Sequence, residues 1–315
     1  MKPLLRRLSA LPFTVFGVVT LVFLMLRLLP GDPAAFIAGE NANAATVAAI
    51  RDRLGLNGPI LLQYVHYLGL LLRLDLGHSL LTGLPVASIL KQSLPITLVL
   101  ASSSVVLSTL VAIPLGCCAA YFRSHGRTAL DHLLTLFALG VDALPAFWVA
   151  LVFVLFFSLR LGWFPISGRL VWGDLPSLSL RLAMPIVVLA LAQIAALARV
   201  TRTAMIEALG EDYARTARAL GTPEPILVFQ HALRNAALPV LTVIGLGFGR
   251  LLAGTVLIES LFSLPGLGSR LLDGIFGRDY PVVQGAILLY AALFIAVNVL
   301  TDVLYTQADP RVKLS

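Results

Sequence analysis

The sequence predicts an all-α integral membrane protein of six transmembrane helices, with an outer helical cap segment and a long helical loop on the cytoplasmic side. Three observations predict it. The chain is 58% hydrophobic and only 12% charged, against about 45–50% apolar and about 25% charged in soluble domains. Several apolar runs exceed the roughly 18 residues that mark a membrane span, and a backbone inside lipid must satisfy its own hydrogen bonds, so those runs are helices. Lysines and arginines also divide unequally between alternate loops, as the positive-inside rule requires.

The elements follow in order. Lys2, Arg6 and Arg7 precede an apolar run over Leu8–Leu29. Charged start and apolar continuation resemble a signal peptide, but the run is too long and "LPGDPA" after it offers no small-x-small cleavage site, so an uncleaved first span is expected. Residues 30–95 form an outer segment: "TVAAIRDRLGL" has helical spacing with Gly55 as its stop, and a second helix starts at Pro59, a residue suited to a first turn. Its apolar content predicts a small cap packed on the bundle. His66 and His78 lie there without a second ligand at metal spacing and are read as structural. Five spans follow as a helical core over 96–305: Ile96–Tyr121, Leu133–Leu159, Ala183–Val200, Leu238–Ile258 and Val282–Tyr305, with a tail at 306–315. Cys117 and Cys118 are adjacent in the second span and read as packing residues, since free cysteine behaves as a small hydrophobe.

One set of loops holds Lys2, Arg6, Arg7, Arg123, Arg127, Arg202, Arg215, Arg218, Arg234, Arg311 and Lys313. The other holds Arg160, Arg169, Arg181, Arg270 and Arg278. The first set is assigned to the cytoplasm, with both termini inside. The net charge of +7 is explained by this topology and not by nucleic acid, because the arginines are dispersed at span ends.

No phosphate-binding loop, zinc-protease helix, nucleophile elbow or Cys/His cluster at metal spacing is present in the sequence. "GFGRLLAG" is glycine-rich but lies inside a span, where its amides are engaged. No catalytic residue and no metal ligand is therefore assigned. Asp142, Arg250, Glu259 and Asp302 fall in or near spans, where ionisable groups usually face a cavity or a partner. For Glu259 and Asp302 helix-end placement is preferred; Asp142 and Arg250 sit deeper, and a relay or a cross-helix pair remain open for them. Gly245, Gly247, Gly249 and Gly254 give the fifth span a small-residue surface, with Gly245 and Gly249 at the spacing that permits close helix approach. A packing face is the preferred reading, and such a face could still line a pore or subunit seam with Asp142, Arg250 and Glu259.

The loop over 201–237 is the longest on the cytoplasmic side. "TAMIEALGEDYARTARALG" is rich in helix formers. Glu211 with Arg215, and Asp212 with Arg215, stand at helix-pairing distances. Gly221 stands where a left-handed cap ends a helix, and Thr222-Pro223 is placed to cap the next. Ala214, Ala217 and Leu220, with Tyr213 beside them, form one face. Such a helix fits a groove on another protein or lies on the anionic inner leaflet, and the residues alone leave the two level.

"RTARALG" at Arg215–Gly221, followed by "HALRNAALP" ending at Pro239, resembles the EAA loop of ABC importer permeases of the peptide/nickel (DppB/OppB-like) family. "LRLLPGDPA" at Leu26–Ala34, "LPAFWVAL" at Leu144–Leu151, "GTVLIESLFSLPGLGSRLLDGIFGRDYPVVQG" at Gly254–Gly285 and the ending "NVLTDVLYTQADPRVK" carry the resemblance along nearly the whole chain. Asp142 and Arg250 depart from it, standing where small or neutral residues are expected.

The resemblance implies a multi-pass subunit of the bacterial inner membrane, forming half of a translocation pathway with a second, homologous permease. Two ATP-binding subunits would carry ATP and Mg, leaving this chain without a cofactor. An extracytoplasmic substrate-binding protein would deliver peptides, or glutathione or nickel. Tyr213, Ala214, Arg215, Thr216, Ala217, Arg218, Ala219, Leu220 and Gly221 would form the coupling helix seated in the ATPase, with the small face of Ala214 and Ala217 in its groove. A self-contained secondary transporter or channel is the alternative. Against it stand only six spans and no inverted repeat.

Overall fold

The computed structural model describes residues 2–28, 32–38, 42–53, 56–166, 168, 170 and 172–308. Gly55, Arg169, Arg311 and Lys313, used above, lie outside the described residues, as do the side chains of Arg6, Arg7 and Asp302. The chain is helical, with no strand among the described residues beyond one isolated bridge, His78 with Pro85. Four helices are long and apolar enough to cross a bilayer, a bent pair makes a fifth, and Phe13–Met25 and Ile60–Leu72 are shorter apolar helices. The chain is an all-α integral membrane protein that divides into two compact units.

The first unit comprises residues 1–97 and Leu264–Leu293. It holds α1 (Lys2–Leu28), α2 (Pro33–Ala38), α3 (Ala44–Arg53), α4 (Ile60–Leu72) and the start of α5 (Val86–Ser124). Helix α4 begins at Ile60, one residue later than expected, with Pro59 as its N-cap. It packs on α1 through polar and aromatic contacts: Arg27 Nε donates to Gln63 Oε1 at 2.9 Å, Thr20 and Tyr64 share a hydroxyl bond, and Phe23 lies against Tyr64 and Tyr67. Asp32 accepts from the Ala34 amide at 3.0 Å and pairs with Arg51, tying α2 to α3. Buried Asp279 accepts from Ser79 Oγ and from the Leu80 amide at 3.0 Å, fixing the loop before α5.

The second unit comprises Leu98–Ser263 and Phe294–Ser315. It holds most of α5, then α6 (Thr128–Asp142), α7 (Ala146–Phe153, continued by π-helical turns over Val154–Arg160), α8 (Leu175–Gly210) and α9 (Asp212–Ala219). Next come α10 (Glu224–Ile226), a π-helical stretch over Leu227–Ala232, α11 (Leu233–Asn235) and α12 (Ala237–Leu261). Helix α13 (Leu267–Phe276) and the start of α14 (Tyr280–Ala308) belong to the first unit, and the rest of α14 to the second.

Two expectations about the spans change. The run Leu133–Leu159 was expected as one helix; it is two, Asp131–Asp142 and Ala146–Arg160, bent by 93°. Pro145 is the cause. It has no amide to donate, and its extended ψ of 132° turns the chain before α7 starts. The fourth span, the shortest expected, lies within a helix of 36 residues. Asp174 caps its start by accepting from the Ser177 amide at 3.2 Å. At about 1.5 Å per residue it is about 54 Å long, well beyond the roughly 30 Å hydrocarbon layer.

Candidate functional site

Helix α9 follows α8 after a single extended residue. Glu211 leaves helical space (φ −67°, ψ 158°), and its carbonyl accepts the amides of Ala214 and Arg215 at 3.1 and 3.4 Å. Asp212 in the first turn and Arg218 in the last complement the helix dipole. Arg215 pairs with Asp212 at 3.2 Å, both largely exposed, so this pair adds only tenths of a kcal/mol, about 0.3–0.5. Glu211, the other expected partner of Arg215, is the residue before the helix and contributes its backbone.

The helix ends in a Schellman motif. The Thr222 amide donates to the Ala217 carbonyl and the Gly221 amide to the Arg218 carbonyl, both at 3.0 Å. Gly221 takes φ +80°, as its position in the sequence requires. The next N-cap falls one residue later than expected, on Pro223, with Glu224 starting α10. Arg218 Nε donates to Glu224 Oε1 at 2.7 Å, bracing the turn.

The faces of α9 are the reverse of the expectation. Ala214 is fully buried, and it packs with Ala217 and Tyr213 on Cys117, Met205, Leu227 and Ala232 of this same chain. The small face therefore docks α9 onto its own bundle. The face left outward carries Asp212, Arg215, Thr216, Ala219 and Leu220, and Leu220 is 81% exposed.

Behind this element stand two ion pairs between α6 and α8. Asp131, fully buried, is clasped by Arg202 through both of its oxygens, the Nη2–Oδ2 contact being 2.6 Å. Asp142 pairs with Arg199 at 2.7 Å. Asp142 is thus a cross-helix partner. Sequence reading missed Arg199 and Asp131 and took Arg202 only as a loop charge; the available signal was the eleven-residue spacing of Asp131 and Asp142, about three turns, which puts both on one face of α6.

The glycine surface of α12 also faces inward. A side chain at Gly245 would overlap Thr301, and one at Gly249 would overlap the Phe294 ring, both on α14 within the same unit. These glycines serve close packing inside this chain, which is the packing face preferred from the sequence. Glu259 is fully buried near the end of α12. Arg250, midway along α12, is exposed and makes no hydrogen bond or ion pair among the described residues.

Comparison with known proteins agrees with this architecture. Residues 112–314 match the binding-protein-dependent transport system inner membrane component, and residues 1–101 match the N-terminal part of such membrane components. The chain is 45% identical over 311 residues to a protein of Brucella abortus named as a peptide transport system permease, covering 98% of both chains. It is 41% identical to the di/tripeptide transport system permease protein of Pseudomonas aeruginosa, covering 98% of this chain and 97% of that one. It is 40% identical to the glutathione transport system permease protein of Salmonella typhimurium, covering 98% of both. The chain is a permease subunit of an ABC importer and belongs to the family of inner membrane components of binding-protein-dependent transport systems.

Proposed function

We propose that this subunit forms half of the pathway by which an ATP-driven importer takes up di- and oligopeptides. The peptide, di/tripeptide and glutathione systems of its relatives share a carboxylate-bearing, peptide-like cargo. The subunit works with a second homologous permease, two ATP-binding subunits that hold ATP and Mg, and an extracytoplasmic binding protein. Its six spans are α1, α5, the α6–α7 pair, α8, α12 and α14, with both termini cytoplasmic.

The observation that carries the reading is α9: a short, capped helix standing on the end of α8, its small face buried in its own bundle and its other face unpartnered. Helix α9 is the coupling helix, and Asp212, Arg215, Thr216, Ala219 and Leu220 are its contact face for the ATPase. Closure of the ATPases around ATP drives the coupling helices together and opens the pathway outward; hydrolysis resets it. Cysteine at position 216, in a background lacking Cys117 and Cys118, tests orientation and role together. It should react from the cytoplasmic side and form a cross-link to an ATPase subunit. Labelling by an impermeant reagent from outside would sink the assignment.

A further inference from the structure

We propose that Arg250 is the pathway's fixed counter-ion for the carboxylate of the passing substrate, an inference that rests on the importer reading above. Arg250 is near the middle of the 25-residue α12. At such depth an arginine facing hydrocarbon costs about 2.5–3.5 kcal/mol even on the lowest scales. Its face is not covered by this chain: Thr242, Leu246, Ala253 and Leu257 beside it are exposed too, whereas Gly245, Gly247, Leu251, Leu252, Thr255 and Glu259 are buried. The guanidinium has no partner among the described residues, and it points away from the packed side of α12, so its charge is left to be answered from beyond them.

Three things can lie there: lipid, another subunit, or the aqueous pathway. Lipid is disfavoured by the cost just given. A tight helix seam calls for small residues, and on α12 the closest-approach glycines, Gly245 and Gly249, already face α14. The outward stripe of Leu246, Arg250 and Leu257 is bulky and uneven, which suits a cavity wall better than a seam. A single fixed cation in a low-dielectric cleft draws anions to it. The guanidinium fork matches a carboxylate in two parallel hydrogen bonds, and lysine cannot reproduce that geometry. The carboxylate terminus of a peptide is the group this chemistry recognises.

The test uses the complete complex in vesicles, with its binding protein, fed a free-acid tripeptide or the same tripeptide as its C-terminal amide. Arg250→Met should lower the uptake efficiency for the free acid by about tenfold or more, and Arg250→Lys should retain an intermediate value. Arg250→Met and the native complex should differ little on whatever amide uptake they show. Arg250→Met taking up the free acid at native efficiency would overturn the proposal. So would failure of Arg250→Met, but not Arg250→Lys, to co-purify with the second permease, since the partner would then be a side chain of that subunit. A native complex that moves neither peptide nor glutathione would refute the peptide reading itself, and the native control alone shows this.

Discussion

Removing Arg202 is the sharpest perturbation of this structure. Its guanidinium holds both oxygens of Asp131, which is fully buried, whereas the Arg202 side chain keeps 25% exposure. Arg202→Met keeps most of the side-chain volume and leaves the carboxylate without its cation. Breaking a buried pair in this way is destabilising by about 3–5 kcal/mol. Asp131→Leu alone leaves the cation, but Arg202 is partly exposed and can find water, so about 1–3 kcal/mol is expected. The double replacement should recover most of the loss, because a buried pair replaced by apolar groups is often neutral. Equilibrium unfolding of the purified subunit in mixed detergent micelles gives all three values and hence the coupling between the residues. The reasoning fails if Arg202→Met lies within about 0.5 kcal/mol of the native protein, or if the double variant is no better than that single one.

Gly221→Val places a β-branched residue at φ +80° and should strain the end of α9 by about 1–2 kcal/mol, with Gly221→Asn milder; thermal unfolding and ATPase retention read the two effects. Leu220→Glu should leave folding intact, because Leu220 is 81% exposed, yet release the ATPase subunits from the purified complex. Ala214→Arg should instead lower the yield of folded subunit, since Ala214 is enclosed. Gly249→Leu should destabilise this chain on its own, and adding Phe294→Ala should restore part of the loss; loss of assembly with a stable subunit would contradict the inward placement. Burial raises the Asp32 carboxyl, but bonds from Arg51 and the Ala34 amide outweigh it and hold it below the usual carboxylate range. A depressed folded value contributes stability above the unfolded value, near about 3.9, that is lost as pH falls through the folded one. Asp32→Asn should abolish that part of the acid sensitivity in an unfolding series.

Local chemistry was legible before the structure, and tertiary choices were not. Gly221 declared its conformation because only a left-handed residue ends a helix in that way. The apolar runs declared their helices because lipid leaves no other backbone state. Pro145 was equally visible, but hydrophobicity continues across it, and an apolar run gives no warning that a helix turns through 93°. The inward face of α9 was beyond reach: in eight residues the small stripe is plain, but only the fold shows that Met205 and Leu227 cover it. The partners of Asp142 and Asp131 lay about 60–70 positions away, and pairing at that separation is decided by how α6 crosses α8.

Helix α8 has one soft point. Pro185 lies within it, where the missing amide removes one rung of the hydrogen-bond ladder. Twenty-five residues separate it from Gly210, a stiff arm about 38 Å long. Pivoting that arm by about 10° would swing its tip through about 6.5 Å, more than one helical turn. A displacement too small to rearrange packing near the pivot is thus large where α9 is mounted, and the same gearing run backwards turns a broad push on α9 into a fine adjustment deep in the membrane.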